Sequence, residues 1–247
     1  MRTIHRSQYR DSSGHLLFGA GLQLAFERGG QTRRQMEGED RVAAALAHVL
    51  DDQYTVIRNV VIPGDRYDLD MVVVGPTGVV EIEVLQLTRL VRGEQGWLSW
   101  DFNQNGLRLV PAELGQRAQE KIVRLANFLA QQGAPRLDIN QVVVISNPEA
   151  PREFTRPGLQ IVFMDELEGF MQTVLEVLRS PTPMPAKRII EVLSLVKGHE
   201  TGLIVPKTYW GMTPGQFFLI LLFIVGDICL LLAGVYLVLV YNNPLGP

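Results

Sequence analysis

The chain has 247 residues, room for one full-sized domain with appendages. A hydrophobic content of 47% with 20% charge excludes a disordered chain, and a net charge of -3 gives no global sign of nucleic-acid binding. The single cysteine, Cys229, excludes an intrachain disulfide framework and argues against a cysteine-based zinc site.

Residues 1–35 carry six arginines against Asp11 and Glu27, a mildly basic segment. Its apolar centre, Leu16 to Phe26, is broken by Gly19 and Gly21, so it reads as a flexible arm, with a membrane-surface or partner-binding helix as the alternative, and not as a signal peptide. The first helix is expected from about Glu37 to Leu50, with Val42, Ala45, Leu46 and Val49 as its buried stripe. Glu39 lies on that inward side, where it either faces the core or complements the positive end of the helix dipole.

Tyr54 to Ile62 reads as a strand. Tyr67 to Gln86 then reads as a hairpin around Gly75-Pro76-Thr77-Gly78, in which Pro presets one dihedral and Gly permits positive φ. Its strands are β-branched and apolar, yet four acids interrupt them. Strand side chains alternate, so Asp68 and Asp70 share one face and Glu81 and Glu83 share another. Acids in a core hairpin are costly unless paired, protonated or bound to a metal.

A β-prone meander follows, with a turn at Asn103 to Gly106 and with Trp97 and Trp100 as packing residues. A second helix is expected from about Pro111 to Gln132, with Leu114, Ala118, Ile122, Leu125 and Leu129 inward and Gln116 and Lys121 flanking that stripe. Strands at Gln141–Ser146 and Leu159–Met164 come next. A helix opens at Asp165 with Glu168 three residues on, like a capping box, and a last helix runs from Ala186 to Lys197. The order of elements is that of an α/β domain, over about residues 36–198.

Residues 199–215 read as a linker. The 25 residues from Phe217 to Tyr241 carry one charge, which makes 216–241 a single transmembrane helix, with Trp210 and Tyr241 near its ends and a short tail at 242–247. Lys187, Arg188, Lys197 and Lys207 precede the span and no charge follows it, so the folded domain is expected on the cytoplasmic side. Asp227 falls near mid-span, where it is read as protonated or as hydrogen-bonded to another helix across a homo-oligomer interface in the lipid bilayer.

Phosphodiester hydrolysis wants a hard divalent cation on carboxylate oxygens, with room for water. Asp70 and Glu83 on adjacent antiparallel strands supply two such groups, the Val84 carbonyl a third, and Glu39 a fourth. Gly38-Glu39 at a helix start, followed by Asp70-Met-Val-Val-Val-Gly-Pro-Thr-Gly-Val-Val-Glu-Ile-Glu83-Val-Leu85, resembles the nuclease-related domain, or NERD, a relative of the PD-(D/E)XK nucleases. The likeness extends through the Pro111…Gln116 helix and the Val142–Ile145 strand, over roughly Glu37 to Leu178. It implies a mixed central sheet flanked by helices with a restriction-endonuclease-like α-β-β-β-α-β core. It also implies Mg²⁺ or Mn²⁺ on Asp70 and Glu83, Glu39 as the helix-borne acid, and Gln116 as the glutamine of the next helix.

The sequence departs from that pattern at one place. The family's lysine two residues after the Glu is here Leu85. Lys121 on the second helix is the expected replacement, with Arg89 a weaker one. Two readings follow: a membrane-anchored nuclease on DNA or RNA, or a nuclease-derived binding or scaffold protein that has lost catalysis. An unrelated α/β membrane protein with structural acids is a third.

Overall fold

A computed structural model describes residues 1–7, 9–11, 13–16, 31–63, 68–101, 105–111, 113–134, 137–177, 185–196 and 214–241. Most of the expected arm, the tip of the Asn103–Gly106 turn, most of the 199–215 linker and the 242–247 tail lie outside the described residues. The chain divides into two units, Met1–Thr201 and Gly202–Pro247.

The first unit is α/β, as its element order implies. A six-stranded sheet runs β1 (Arg2–His5), β2 (Thr55–Val61), β3 (Asp68–Gly75), β4 (Gly78–Leu85), β8 (Ile139–Ile145) and β9 (Ile161–Phe163). β2, β3 and β4 are antiparallel to one another, and the β1–β2, β4–β8 and β8–β9 pairs are parallel, so the sheet is mixed. Helices α1 (Gln31–Val49), α2 (Leu114–Gln131), α3 (Leu167–Val177) and α4 (Ala186–Leu195) flank it.

Strand alternation sends apolar side chains to both faces. Met71, Val73, Ile82 and Val84 pack with Val42 and Leu46 of α1 and with Leu167 and Met171 of α3. Val72, Val74 and Val79 pack with Leu125 and Leu129 of α2 and with Ile189 and Leu193 of α4. Nearly all of these side chains are fully buried, each worth about 1.5–3 kcal/mol. The α-β-β-β-α-β core is therefore α1, β2, β3, β4, α2 and β8.

The hairpin forms where its turn chemistry places it. Gly75 pairs with Gly78 across Pro76-Thr77, and Gly78 has a φ of 140°. A Cβ on Gly75 would overlap the Tyr54 ring, so glycine is required there by close approach. β5 (Val91–Gly93), β6 (Gly96–Asp101) and β7 (Gly106–Leu109) form the meander as a separate three-stranded sheet. Trp97 packs edge-on to Phe154 with centroids 5.5 Å apart, and the Arg89 guanidinium lies 4.7 Å from the Trp100 ring centre.

Three expectations are corrected. Residues 1–35 are not wholly a free arm: Arg2–His5 pair in register with Thr55–Arg58, and Arg10 binds Asp40 at 2.5 Å. The first helix begins at Gln31 rather than Glu37. Its early turn carries the Arg33–Glu37 pair at 2.9 Å and buries Met36. Gly38 does not open the helix but lets it approach the sheet, since a Cβ there would lie 2.5 Å from Ser146 Oγ. Finally, the acids expected to open α3 are engaged elsewhere: Asp165 and Glu166 meet Arg152, and Glu168 meets His48.

The second unit contributes α5 (Pro214–Tyr241). It is long and apolar enough to cross a membrane by length and composition, and its side chains from 220 to 238 are all exposed.

Candidate functional site

β3 begins where β4 ends, so Asp70 comes beside Glu83 and Val84 at one end of the hairpin. α1 passes over the same end and brings Glu39. Three of the four expected cation ligands gather at one point. Glu39 Oε1, Asp70 Oδ2 and the Val84 carbonyl oxygen lie 3.4, 3.4 and 2.6 Å from the Nε2 of Gln35, one helical turn before Glu39. The Val84 carbonyl, the nearest of the three, only accepts hydrogen bonds, which fixes the amide nitrogen rather than its oxygen toward the cluster.

Further bonds hold these oxygens. The Val84 N–H donates to Asp70 Oδ2 at 2.7 Å. Asn59 Nδ2 donates to Glu39 Oε2 at 3.0 Å, and the Arg58 guanidinium lies 3.6 Å from the same oxygen. Asn59 is a strand residue with φ of 56°, a conformation that asparagine tolerates better than its β-branched neighbours. That bend in β2 aims its amide at α1. Arg58 in turn binds Asp40 Oδ1 at 2.8 Å, tying α1 to β2 beside the site.

The fourth expected ligand, Glu83, is engaged differently. Its Oε2 accepts a hydrogen bond from Lys121 Nζ of α2. Lys121 is buried on the inward side of its helix with Ala118 and Leu125. Thus an ammonium group reaches the acid end of the hairpin from a helix. Leu85, where the strand lysine would stand, packs with the apolar cluster of Ile145, Phe154 and Trp97. Arg89 is not that replacement cation, because its guanidinium is stacked on Trp100.

The electrostatics follow from crowding acids away from water. Burial, then the neighbouring Glu83 and Glu39, push Asp70 well above the usual aspartate range. Burial also raises Glu39, against the opposing pull of Asn59 and Arg58. Burial alone would lower the Lys121 pKa, but the Glu83 and Asp70 carboxylates outweigh it and raise it, so Lys121 stays an ammonium. Glu81 is fully buried beside Glu83. Its Oε2 accepts from Gln141 Nε2 at 2.8 Å, its Oε1 has no hydrogen-bond partner among the described residues, and its pKa is pushed up to about 8 by burial first and then by Glu83.

Two expected roles are not met by the geometry. Gln116 is exposed on α2, and its amide bonds Glu120 at 3.0 Å. The amide that does enter the interior there is Gln141, which joins Glu81 to the Ala118 carbonyl. Nor do Glu39, Asp70 and Glu83 form a three-acid cage: among the described residues, no three Asp, Glu, His or Cys side chains are grouped to hold a metal ion. The site is two carboxylates and a carbonyl, with a Lys–Glu pair beside them. That donor set is all hard oxygen, which suits Mg²⁺ or Mn²⁺ and not a thiophilic metal.

Sequence reading missed Gln35, Asn59 and Arg58. A signal for Gln35 existed in its i−4 spacing from Glu39, which puts both on one helix face. The signal for Arg58 and Asn59 was a polar pair inside a β-branched run.

Residues 34–146 match the family model NERD, the nuclease-related domain. The matched stretch runs from α1 to the end of β8, so it contains Gln35, Glu39, Asp70, Glu83, Val84 and Lys121. Comparison with curated proteins and with solved structures gives no match. Residues 34–146 are thus similar to a nuclease-related domain, and the described residues include one apolar helix of membrane-spanning length.

Proposed function

We propose that this domain is a divalent-cation-dependent phosphodiester hydrolase acting on DNA or RNA. The observation that carries the reading is Lys121. The strand position of the motif lysine is apolar, yet a buried ammonium from α2 is bonded to Glu83 at the same end of the hairpin.

Glu39, Asp70 and the Val84 carbonyl would hold Mg²⁺ or Mn²⁺, which when bound supplies Lewis-acid stabilisation of charge on a phosphoryl oxygen. Lys121 contributes a fixed positive charge to the same phosphoryl group and a donor that orients the attacking water. Glu83 holds that ammonium in place against the entropy of a long side chain. Asn59 and Arg58 hold Glu39, and the Val84 N–H holds Asp70, so the oxygens are set before substrate arrives.

α5 would anchor the domain in a bilayer. Lys187, Arg188, Lys197 and Lys207 support an orientation with the domain on the cytoplasmic side, by the positive-inside rule. Asp227 would then serve a contact between copies of the helix.

A specific observation favours the alternative, a binding or scaffold domain without catalysis: a neutral amide, not a third acid, completes the oxygen cluster. Cleavage of single- and double-stranded DNA and RNA by the full chain in detergent micelles separates the two. The hydrolase reading expects cutting with Mg²⁺ or Mn²⁺ that chelator and Asp70→Asn both abolish. Binding of nucleic acid without cutting in any of these conditions would establish the scaffold instead.

A further inference from the structure

The Gln35 carboxamide meets more oxygen than it can satisfy. Its –NH₂ has two hydrogens, and three acceptor oxygens from three separate elements approach the one nitrogen. Only the Val84 carbonyl is at a short distance, 2.6 Å; the two carboxylate oxygens are both at 3.4 Å. Asn59 and Arg58 hold Glu39 Oε2 and the Val84 N–H holds Asp70, but Gln35 itself gives the two carboxylates only long contacts, whereas a divalent cation at that point would engage all three oxygens. Gln35 is only partly buried, so its side chain has solvent beside it.

Resting on the cation reading above, we propose that Gln35 is a built-in competitor for the cation: its amide nitrogen occupies the cation position and has to leave it for Mg²⁺ or Mn²⁺ to bind. The competition is local. Gln35 lies inside α1, and the buried Met36 and Glu39 that follow it hold the helix on the sheet, so the movement required is a rotation of the side chain. Gln35 keeps the cluster assembled without metal, through the Val84 carbonyl, and sets the affinity at which metal enters. A weak, adjustable cation affinity would keep the hydrolase silent at low free metal.

The test is Mn²⁺ binding to the full chain in detergent micelles after chelator treatment, followed by calorimetry and by loss of the free-ion electron-spin signal. Wild type, Gln35→Ala and Asp70→Asn are compared. Gln35→Ala is expected to bind about tenfold more tightly, the equilibrium worth of one hydrogen bond such as that to the Val84 carbonyl, and Asp70→Asn to lose binding. Asp70-dependent binding that Gln35→Ala leaves unchanged or weakens would overturn the role of Gln35 and leave the cation site standing. No Asp70-dependent binding in wild type or Gln35→Ala would overturn both. If Gln35→Ala does not fold, the ¹⁵N-labelled wild type decides: the Gln35 side-chain amide resonances should shift saturably with Mg²⁺. Saturable Mg²⁺ binding that leaves them in place refutes the competition.

Discussion

The two ends of the β3–β4 hairpin are built from the same strands and do opposite work. At the turn end, Gly75 fits under Tyr54, Gly78 takes a positive φ, and the flanking valines are fully buried. The strands there pair in register from Val72 with Glu81 to Gly75 with Gly78. At the other end, Asp70, Glu81 and Glu39 are buried, their pKa values are raised, and Glu81 Oε1 has no partner among the described residues. Local choices agree with the fold at the first end and conflict with it at the second. Such conflict is kept where chemistry needs it.

Substitutions should therefore separate by end. Asp70→Asn is expected to reduce cleavage by about a thousandfold or more, the several kcal/mol that cation stabilisation supplies. It should leave thermal stability equal or higher, because it removes a buried acid and keeps an acceptor for the Val84 N–H. Thermal melts run beside a cleavage assay check both halves. Gly75→Val is the mirror case. Overlap with Tyr54 should lower stability by about 2–3 kcal/mol in urea denaturation, with cleavage per folded molecule unchanged.

The pH dependence of stability comes next. The folded chain holds the Glu81 proton up to about pH 8, whereas the unfolded chain releases it in the ordinary glutamate range. The folded state thus binds more protons between those values, and stability falls as pH rises from about 4.5 toward 8. Asp70 and Glu39 act in the same direction. Glu81→Gln should flatten part of that fall in melts taken across the window. The smallest effect belongs to Arg152→Ala. Its ion pairs with Asp165 and Glu166 are exposed and screened by solvent, so the melting temperature should scarcely move.

How legible each part was depends on how local its cause is. The hairpin could be read because Gly-Pro-Thr-Gly states its own turn and the valines state their faces. Lys121 could be placed inward because Ala118 and Leu125 share its helix face. β1 could not be read, since four residues pair with a strand some 50 positions away and nothing near them signals it. Gln35 was lost with the first turns of α1, whose charged, polar residues hid a helix start. Gln116 was misplaced because its role came from a likeness and not from its own spacing, which puts it on the exposed side of α2. The gathering of Glu39, Asp70 and Val84 around one amide, with Glu83 diverted to Lys121, depends on how three elements cross. No single stretch of sequence encodes that crossing.

The central claim is that a helix lysine has taken over from the strand lysine that Leu85 replaced. The direct measurement is the metal-dependent cleavage rate of Lys121→Met against wild type, with both shown to be folded and at equal Mn²⁺ occupancy. A fall of about a hundredfold or more is predicted, the scale of losing one charge-stabilising donor at the reacting group. An unchanged rate, or no metal-dependent cleavage by wild type at all, would contradict the account.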